Sequence, residues 1–349
     1  MIFASDNWAG VHPAIAANLS EHSGGFSVAY SEGALDNAVY DRFSELFERE
    51  VAVFFVATGT AANTLALSAY NKPGGIAFTH REAHLVADEC GAFGYISGGS
   101  RLHGVDGALG KMDLAALEQA LARFTPDSVH GGRAMAVSLT QSTEIGTLYS
   151  LEEIAAIAAL AKRHGLPLHM DGARFANALA ALDVSPADMT WKRGVDAISF
   201  GGTKNGCWCA EAVVMFDLER AKELAFMRMR AGQLFSKSRF VAAQFEAYLR
   251  DGLWLRTARH SNAMAVALAG AMEKSGAARL AWRPQANEVF AIMKKADAER
   301  LRTAGAAFHQ WPAPHGFTGA VAPDEALFRF VTSFATTAGD VERLGALLG

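Results

Sequence analysis

From Val51 to Asn71 the chain runs for 21 residues without a formal charge. By length alone such a run spans a bilayer. Its middle, Thr58-Gly59-Thr60-Ala61-Ala62-Asn63-Thr64, is nevertheless polar and turn-prone, between a β-branched and aromatic stretch (VAVFFVA) and an Ala/Leu-rich one (ANTLALSAY). A buried strand, a tight turn and a helix account for all three parts.

The same unit recurs. Met135–Thr140 reads as a short buried strand, and Ser150-Leu-Glu-Glu153 opens a helix as a capping box that ends at Gly165. The strand Leu166–Met170 leads into Asp171, and Val195–Phe200 runs into Gly201-Gly202-Thr203-Lys204. Strands alternating with helices predict an α/β fold, a mainly parallel sheet flanked by helices on both faces. Such sheets bind ligands outside the carboxyl ends of their strands, and the polar clusters at 58–63, 171–174 and 204 all fall there. From about Arg230 long Ala/Leu/Met-rich helical stretches precede strand-like runs near Asn287–Met293 and Leu327–Phe334. This predicts two units, a large domain over 1–235 and a smaller C-terminal α+β domain over 236–349.

Composition narrows the function. Hydrophobic residues make up 51% and charged ones 19% of 349 residues, enough for a deep core and too few charges for a disordered chain. A net charge of −4 with no Lys/Arg run offers no footprint for nucleic acid or an anionic membrane, so a small-molecule partner is expected. Three cysteines, Cys90, Cys207 and Cys209, are too few for a disulfide framework, and the first ten residues lack the basic and apolar parts of an export signal. The expected location is the cytoplasm.

Lys204 is the only formal charge between Asp196 and Glu211, among glycines and small polar residues just past a buried strand. A lysine amine in such surroundings can form a Schiff base with a carbonyl; capping a helix end is the alternative. Asp171 follows its strand directly, 33 residues earlier. It suits the acid that pairs with the ring nitrogen of pyridoxal phosphate, or a helix N-cap. Gly59, Thr60 and Asn63 sit at a strand-to-helix junction, where free amides favour an anion such as phosphate, although neither a Walker A nor a GxGxxG pattern is present. His80 and His84 have helical spacing but no further ligands to complete a zinc set, so no metal is expected. His84, near Asp88 and Glu89, suits an aromatic platform or a proton-transfer group. Arg329 interrupts the apolar LFRFVTSF, where a guanidinium either binds a carboxylate in two hydrogen bonds or points to solvent.

The order of Ser5-Asp6-Asn7, Ala29-Tyr30, Gly59-Thr60-Ala61-Ala62-Asn63, His84 through Ala92, His169-Met-Asp-Gly-Ala-Arg174 and Phe200-Gly-Gly-Thr-Lys204-Asn-Gly206 resembles the low-specificity L-threonine aldolases, continuing through Ala231-Gly-Gln233, Asn287 and Arg329. These are pyridoxal-phosphate enzymes of the aspartate-aminotransferase fold, fold type I. The resemblance implies that Lys204 carries pyridoxal 5′-phosphate, Asp171 holds its ring nitrogen, His84 stacks on the ring, and Gly59, Thr60 and Asn63 line the phosphate. Ser5, Arg174 and Arg329 bind the amino acid's carboxylate, Tyr30 belongs to the site wall, and Arg239 looks like an arginine reaching a phosphate across the interface of a homodimer or homotetramer. The general base is His84, or a water held by His84 and Asp88. The implied reaction is cleavage of L-threonine, L-allo-threonine and related β-hydroxy-α-amino acids to glycine and an aldehyde. An aldolase for a bulkier substrate such as phenylserine, a related lyase or aminotransferase, a cofactor-binding regulator and a metal hydrolase are the alternatives.

This chain departs from the family pattern at Tyr30-Ser31-Glu32-Gly33, at Cys207-Trp208-Cys209, at Ala335, and at Thr143, where some relatives place a histidine near the substrate hydroxyl. These positions bear on side-chain preference.

Overall fold

In the computed structural model, which describes residues 1–124 and 129–349, the uncharged run is a strand, β1 (Ala52–Val56), and a helix, Gly59–Ser68. Thr58 caps that helix, its hydroxyl accepting from the Ala61 amide at 3.1 Å. Further strands follow at β2 (Gly75–His80), β3 (Arg101–Val105), β4 (Arg133–Thr140), β5 (Leu168–Gly172), β6 (Ala197–Gly201) and β7 (Glu211–Met215). They form one sheet in the order β1-β7-β6-β5-β4-β2-β3. Strands β2 to β6 pair parallel, whereas β7 is antiparallel to both neighbours. The link 202–210 is too short for a parallel crossover, so β7 returns beside β6 in the opposite sense. Strands β2, β5, β6 and β7 are buried at every position, as a sheet covered by helices on both faces requires.

The expected capping box is formed: Ser150 Oγ accepts from Glu153 N, and Glu153 Oε2 accepts from Ser150 N, at the start of the helix Leu151–Arg163. A second, antiparallel sheet comprises β8 (Ala278–Leu280), β9 (Glu288–Lys294), β10 (His309–Gln310) and β11 (Glu325–Val331), in the order β10-β11-β9-β8. The strand expected to continue to Phe334 stops at Val331, because Thr332 turns its hydroxyl to Ser261 O and Asn287 O. The N-terminal residues join this sheet: Phe3 packs in its core and exchanges backbone hydrogen bonds with Ala307 and Val331. The helix Leu253–Ser275 ties the two units together, with Leu253, Trp254 and Ala258 in the main core and Ala265, Leu268 and Met272 in the smaller one.

Two features bring the polar clusters together. A Cβ on Gly201 would stand 2.5 Å from Ala173 O, so the absent side chain lets the segments after β5 and β6 touch. Beneath them His169 crosses three strands, its Nδ1 2.9 Å from Ser138 Oγ on β4 and its Nε2 2.9 Å from Ser199 Oγ on β6.

Burial holds the His169 imidazole down at about 4, against the opposing pull of Asp171. Below its ordinary 6.5 the unfolded chain takes up a proton that the native state refuses, so stability drains away as pH falls from there towards 4. The loss is about 3 kcal/mol, from ~1.4 kcal/mol per pH unit. Urea unfolding across this range should give a flatter pH dependence for His169→Gln than for the wild type; parallel curves would assign the acid sensitivity to other groups.

Candidate active site

The carboxyl ends of β1, β4, β5 and β6 surround one cavity. Gly59 and Asn63 come from the helix after β1, and Thr140, Ser142 and Glu144 from the end of β4 and beyond. Asp171, Ala173 and Arg174 come from the end of β5, Lys204 from the turn after β6, and His84 from a short helix after β2. The enclosed volume is about 50 Å³. A larger cavity of about 550 Å³ lies at the amino ends of β5 and β6, around Pro167 and Asp196, and contains none of these residues. Chemistry, rather than size, marks the site.

Asp171 is buried and held from two sides. Its Oδ1 accepts from Ala173 N at 3.0 Å, and its Oδ2 accepts from Asn63 Nδ2 at 2.7 Å. The same Asn63 nitrogen donates to Glu89 Oε1 at 2.9 Å, and that oxygen lies 2.9 Å from His84 Nδ1. The Glu89 contact raises the His84 pKa; burial raises that of Glu89, so the pair retains a proton. Asn63, expected at the phosphate end, is therefore directed to Asp171. Lys204 forms no ion pair among the described residues, although its charge is felt at Asp6, Glu211 and His84. Behind it, burial pushes Glu211 up to about 7, while Glu211 Oε1 accepts from Thr203 N at 3.3 Å.

A second group of charges is buried between the two sheets. Arg174 donates to both oxygens of Asp6, from Nε at 2.8 Å and Nη2 at 3.1 Å, and Nη2 also lies 3.5 Å from Glu288 Oε1. Arg329 stands 3.8 Å from the same Glu288 oxygen, with its guanidinium 4.0 Å from the centroid of the Trp311 ring. Burial alone would raise the Asp6 pKa, but Arg174 and Lys204 hold it below the usual carboxylate range. Burial raises the Glu288 pKa despite both arginines, and among the described residues neither of its carboxylate oxygens has a hydrogen-bond partner. Arg329 Nε is likewise unpartnered, which leaves this arginine with free donors for an incoming carboxylate.

The remaining expected residues lie around this centre. Ser5 precedes Asp6 and caps the turn Asp6–Trp8, its hydroxyl accepting from Asn7 N. Thr60 lies in the first turn of the helix that begins at Gly59. Asp88 is exposed and borders a neighbouring cavity of about 340 Å³. Tyr30 and Arg239 do not line the Lys204 cavity. Arg239, the first residue of the helix Arg239–Leu249, donates to the carbonyls of Ser23, Gly24 and Gly25, and Tyr30 N donates to Ser236 O, so residues 23–30 form a surface loop pinned against residues 236–239. His80 turns to Gly107 O at 3.3 Å, away from His84. Thr143, expected beside the substrate hydroxyl, is fully buried with its hydroxyl 2.7 Å from Thr147 Oγ1. Trp208 projects into solvent and leaves the cavity clear.

Sequence reasoning missed Glu144 and Glu288. Each carries the signature that singled out Lys204: Glu144 is the only formal charge between Arg133 and Glu152, and Glu288 the only one between Arg283 and Lys294.

The donor set suits pyridoxal 5′-phosphate. A lysine without an ion pair can reach an aldehyde, and Asp171 offers a carboxylate to a ring nitrogen. The first amides of the helix at Gly59, above whose Cα there is open space, suit a phosphate. Ser142 Oγ and Asn63 Oδ1 are buried without partners and face this group of residues.

Comparison with known proteins agrees. The beta-eliminating lyase family model matches residues 3–296. A low-specificity L-threonine aldolase of Pseudomonas aeruginosa is 39% identical over 99% of this chain and 95% of its own, and one from another Pseudomonas is 38% identical over 99% and 96%. A threonine aldolase structure from Leishmania major superposes with a TM-score of 0.91 at 27% identity, covering 99% of this chain and 98% of that one.

Proposed function

The chain belongs to the beta-eliminating lyase family, among the low-specificity L-threonine aldolases, and on that footing we propose that it is an aldehyde lyase using pyridoxal 5′-phosphate. It splits L-threonine, L-allo-threonine and related β-hydroxy-α-amino acids into glycine and an aldehyde. The observation that carries this reading is the shared cavity of Lys204 and Asp171, with Arg174 at its edge and Arg329 approaching the same Glu288 carboxylate as Arg174.

Bound there, the cofactor supplies an aldehyde for the substrate amine and a sink for the electron pair of the broken Cα–Cβ bond. Lys204 would hold it through its amine. Asp171 would keep a proton on the ring nitrogen, with Asn63 fixing the carboxylate's direction. Gly59 and Thr60 would hold the phosphate, and His84 would serve as a platform for the ring. Arg329, with its free donors, and Arg174 and Ser5 beside it fix the substrate carboxylate. With amine and carboxylate both held, the Cα–Cβ bond is the one set for cleavage.

The 340 Å³ cavity beyond Glu144, walled by Ile145, Trp311 and Pro312, supports acceptance of side chains as large as that of phenylserine. Two units, 1–235 and 236–349, would then close around the substrate, each bringing one of the arginines. The loop that Arg239 holds exposes Phe26, Val28 and Tyr30, every second residue of one short stretch. Large apolar side chains left in water favour burial against a second copy, which supports a homodimer or homotetramer in which Arg239 and Tyr30 serve the neighbouring site. Among the described residues no helix is long and apolar enough to cross a membrane. The unpaired Cys90, Cys207 and Cys209 support a reducing cytoplasm.

Lys204→Ala should abolish threonine cleavage and the adduct that borohydride traps on the wild type; near wild-type turnover would refute the assignment. Arg329→Ala should chiefly raise KM, through loss of carboxylate binding worth about 2–5 kcal/mol, in steady-state assays of aldehyde release. Unchanged kinetics would make Arg329 structural.

A further inference from the structure

Glu144 borders two cavities at once, the one containing Lys204 and the 340 Å³ one beside it. Its Oε1 accepts from the His84 backbone amide at 2.7 Å, which fixes the carboxyl group, while Oε2 is buried with no hydrogen-bond partner among the described residues. A buried, unpartnered carboxylate oxygen costs stability and calls for an explanation. We propose that Glu144 takes the proton from the substrate's β-hydroxyl, at the boundary between the reacting bond and the pocket for the departing aldehyde. The proposal rests on the aldolase reading above.

The two other candidates are less suited. His84 is already engaged, its Nδ1 held against Glu89, and the reading above gives its ring to the cofactor rather than to the substrate's hydroxyl. Asp88 is exposed, borders only the neighbouring cavity and does not line the Lys204 one. Burial pushes Glu144 up to about 7, only partly offset by the His84 amide, which matches a group that must accept and release a proton near neutrality. A substrate whose carboxylate meets Arg329, itself stacked on Trp311 of the second cavity, places its Cβ substituent along the wall that Glu144 shares.

In the cleavage the O–H pair becomes the new C=O bond and its proton moves to Glu144. The Cα–Cβ pair stays on the Cα side, where a proton from water completes glycine, and Glu144 returns its own proton to water as the aldehyde leaves. The step is balanced without an oxidant or reductant. The titratable and charged groups around Glu144 are His84, Asp171, Arg174, Lys204 and the neutral phenol of Tyr149, together with Arg81, Glu82 and Asp88 around the second cavity.

The test uses the holoenzyme and two reactions. Threonine cleavage needs the hydroxyl proton removed, whereas exchange of glycine's α-proton with deuterated water does not. Glu144→Gln keeps an acceptor for the His84 amide, so the fold and thermal midpoint should hold. Its kcat for threonine should fall by about 100-fold or more, and the decline of kcat below about pH 7 should disappear. Glycine exchange should stay within a few-fold of wild type, and Glu144→Asp should recover part of the cleavage rate. Near wild-type cleavage by Glu144→Gln, or equal loss of cleavage and exchange, would overturn the proposal. A wild type inert in both reactions would instead overturn the aldolase reading and this inference with it.

Discussion

The orientation of the whole site depends on how Asp171 is held. Its carboxylate leaves the end of β5, where the parallel sheet sets its position, and the Ala173 amide and Asn63 side chain set its direction. Because Asn63 Nδ2 also binds Glu89, and Glu89 meets His84, one hydrogen-bonded line runs from the carboxylate to the ring of His84. Two residues back on the same face of β5, His169 fastens that strand to both neighbours. A group anchored in this way points with little freedom, which is what a partner for a ring nitrogen needs.

The second constraint is charge balance between the sheets. Asp6 comes from the N-terminal segment, Arg174 from the loop after β5, and Glu288 and Arg329 from neighbouring strands of the small sheet. Two acids and two arginines share this buried volume, so each arginine keeps its charge away from bulk water. Asp6 accepts three side-chain hydrogen bonds, two from Arg174 and one from Asn287, whereas the Glu288 carboxylate has none among the described residues and has its pKa raised by burial. An arriving carboxylate therefore competes with the weaker acid of the pair. The same contacts tie the N-terminus and the small sheet to the large one, so substrate binding and the relative placement of the two units draw on one set of charges.

Much of this was legible in the sequence where a charge stood alone. Lys204 and Asp171 sit in strings of apolar and small residues, and the strand-to-loop position that burial demands is also where open α/β sheets react. Glu144 and Glu288 carry an equally isolated charge, but they lie on a loop and on a late strand whose partners are distant in sequence. The direction of Asn63 was not legible: one turn into its helix, its amide faces β5 rather than the helix N-terminus, and only the phase of the helix decides this. The antiparallel β7 follows from the shortness of the link 202–210, while the edge strand β3, Arg-Leu-His-Gly-Val, is too polar and partly exposed to announce itself. Arg239, the first residue of the helix Arg239–Leu249, anchors the surface loop that leads to Tyr30 through contacts distant in sequence, which neither residue's own neighbours announce.

Nuclear magnetic resonance of pyridoxal 5′-phosphate labelled with nitrogen-15 in its ring, bound to the wild type and to Asp171→Ala, goes to the centre of this description. A protonated ring nitrogen in the wild type that becomes unprotonated in the variant is the expected result. An unprotonated nitrogen in the wild type, or a resonance indifferent to the substitution, would contradict the role of Asp171 and the site built around it.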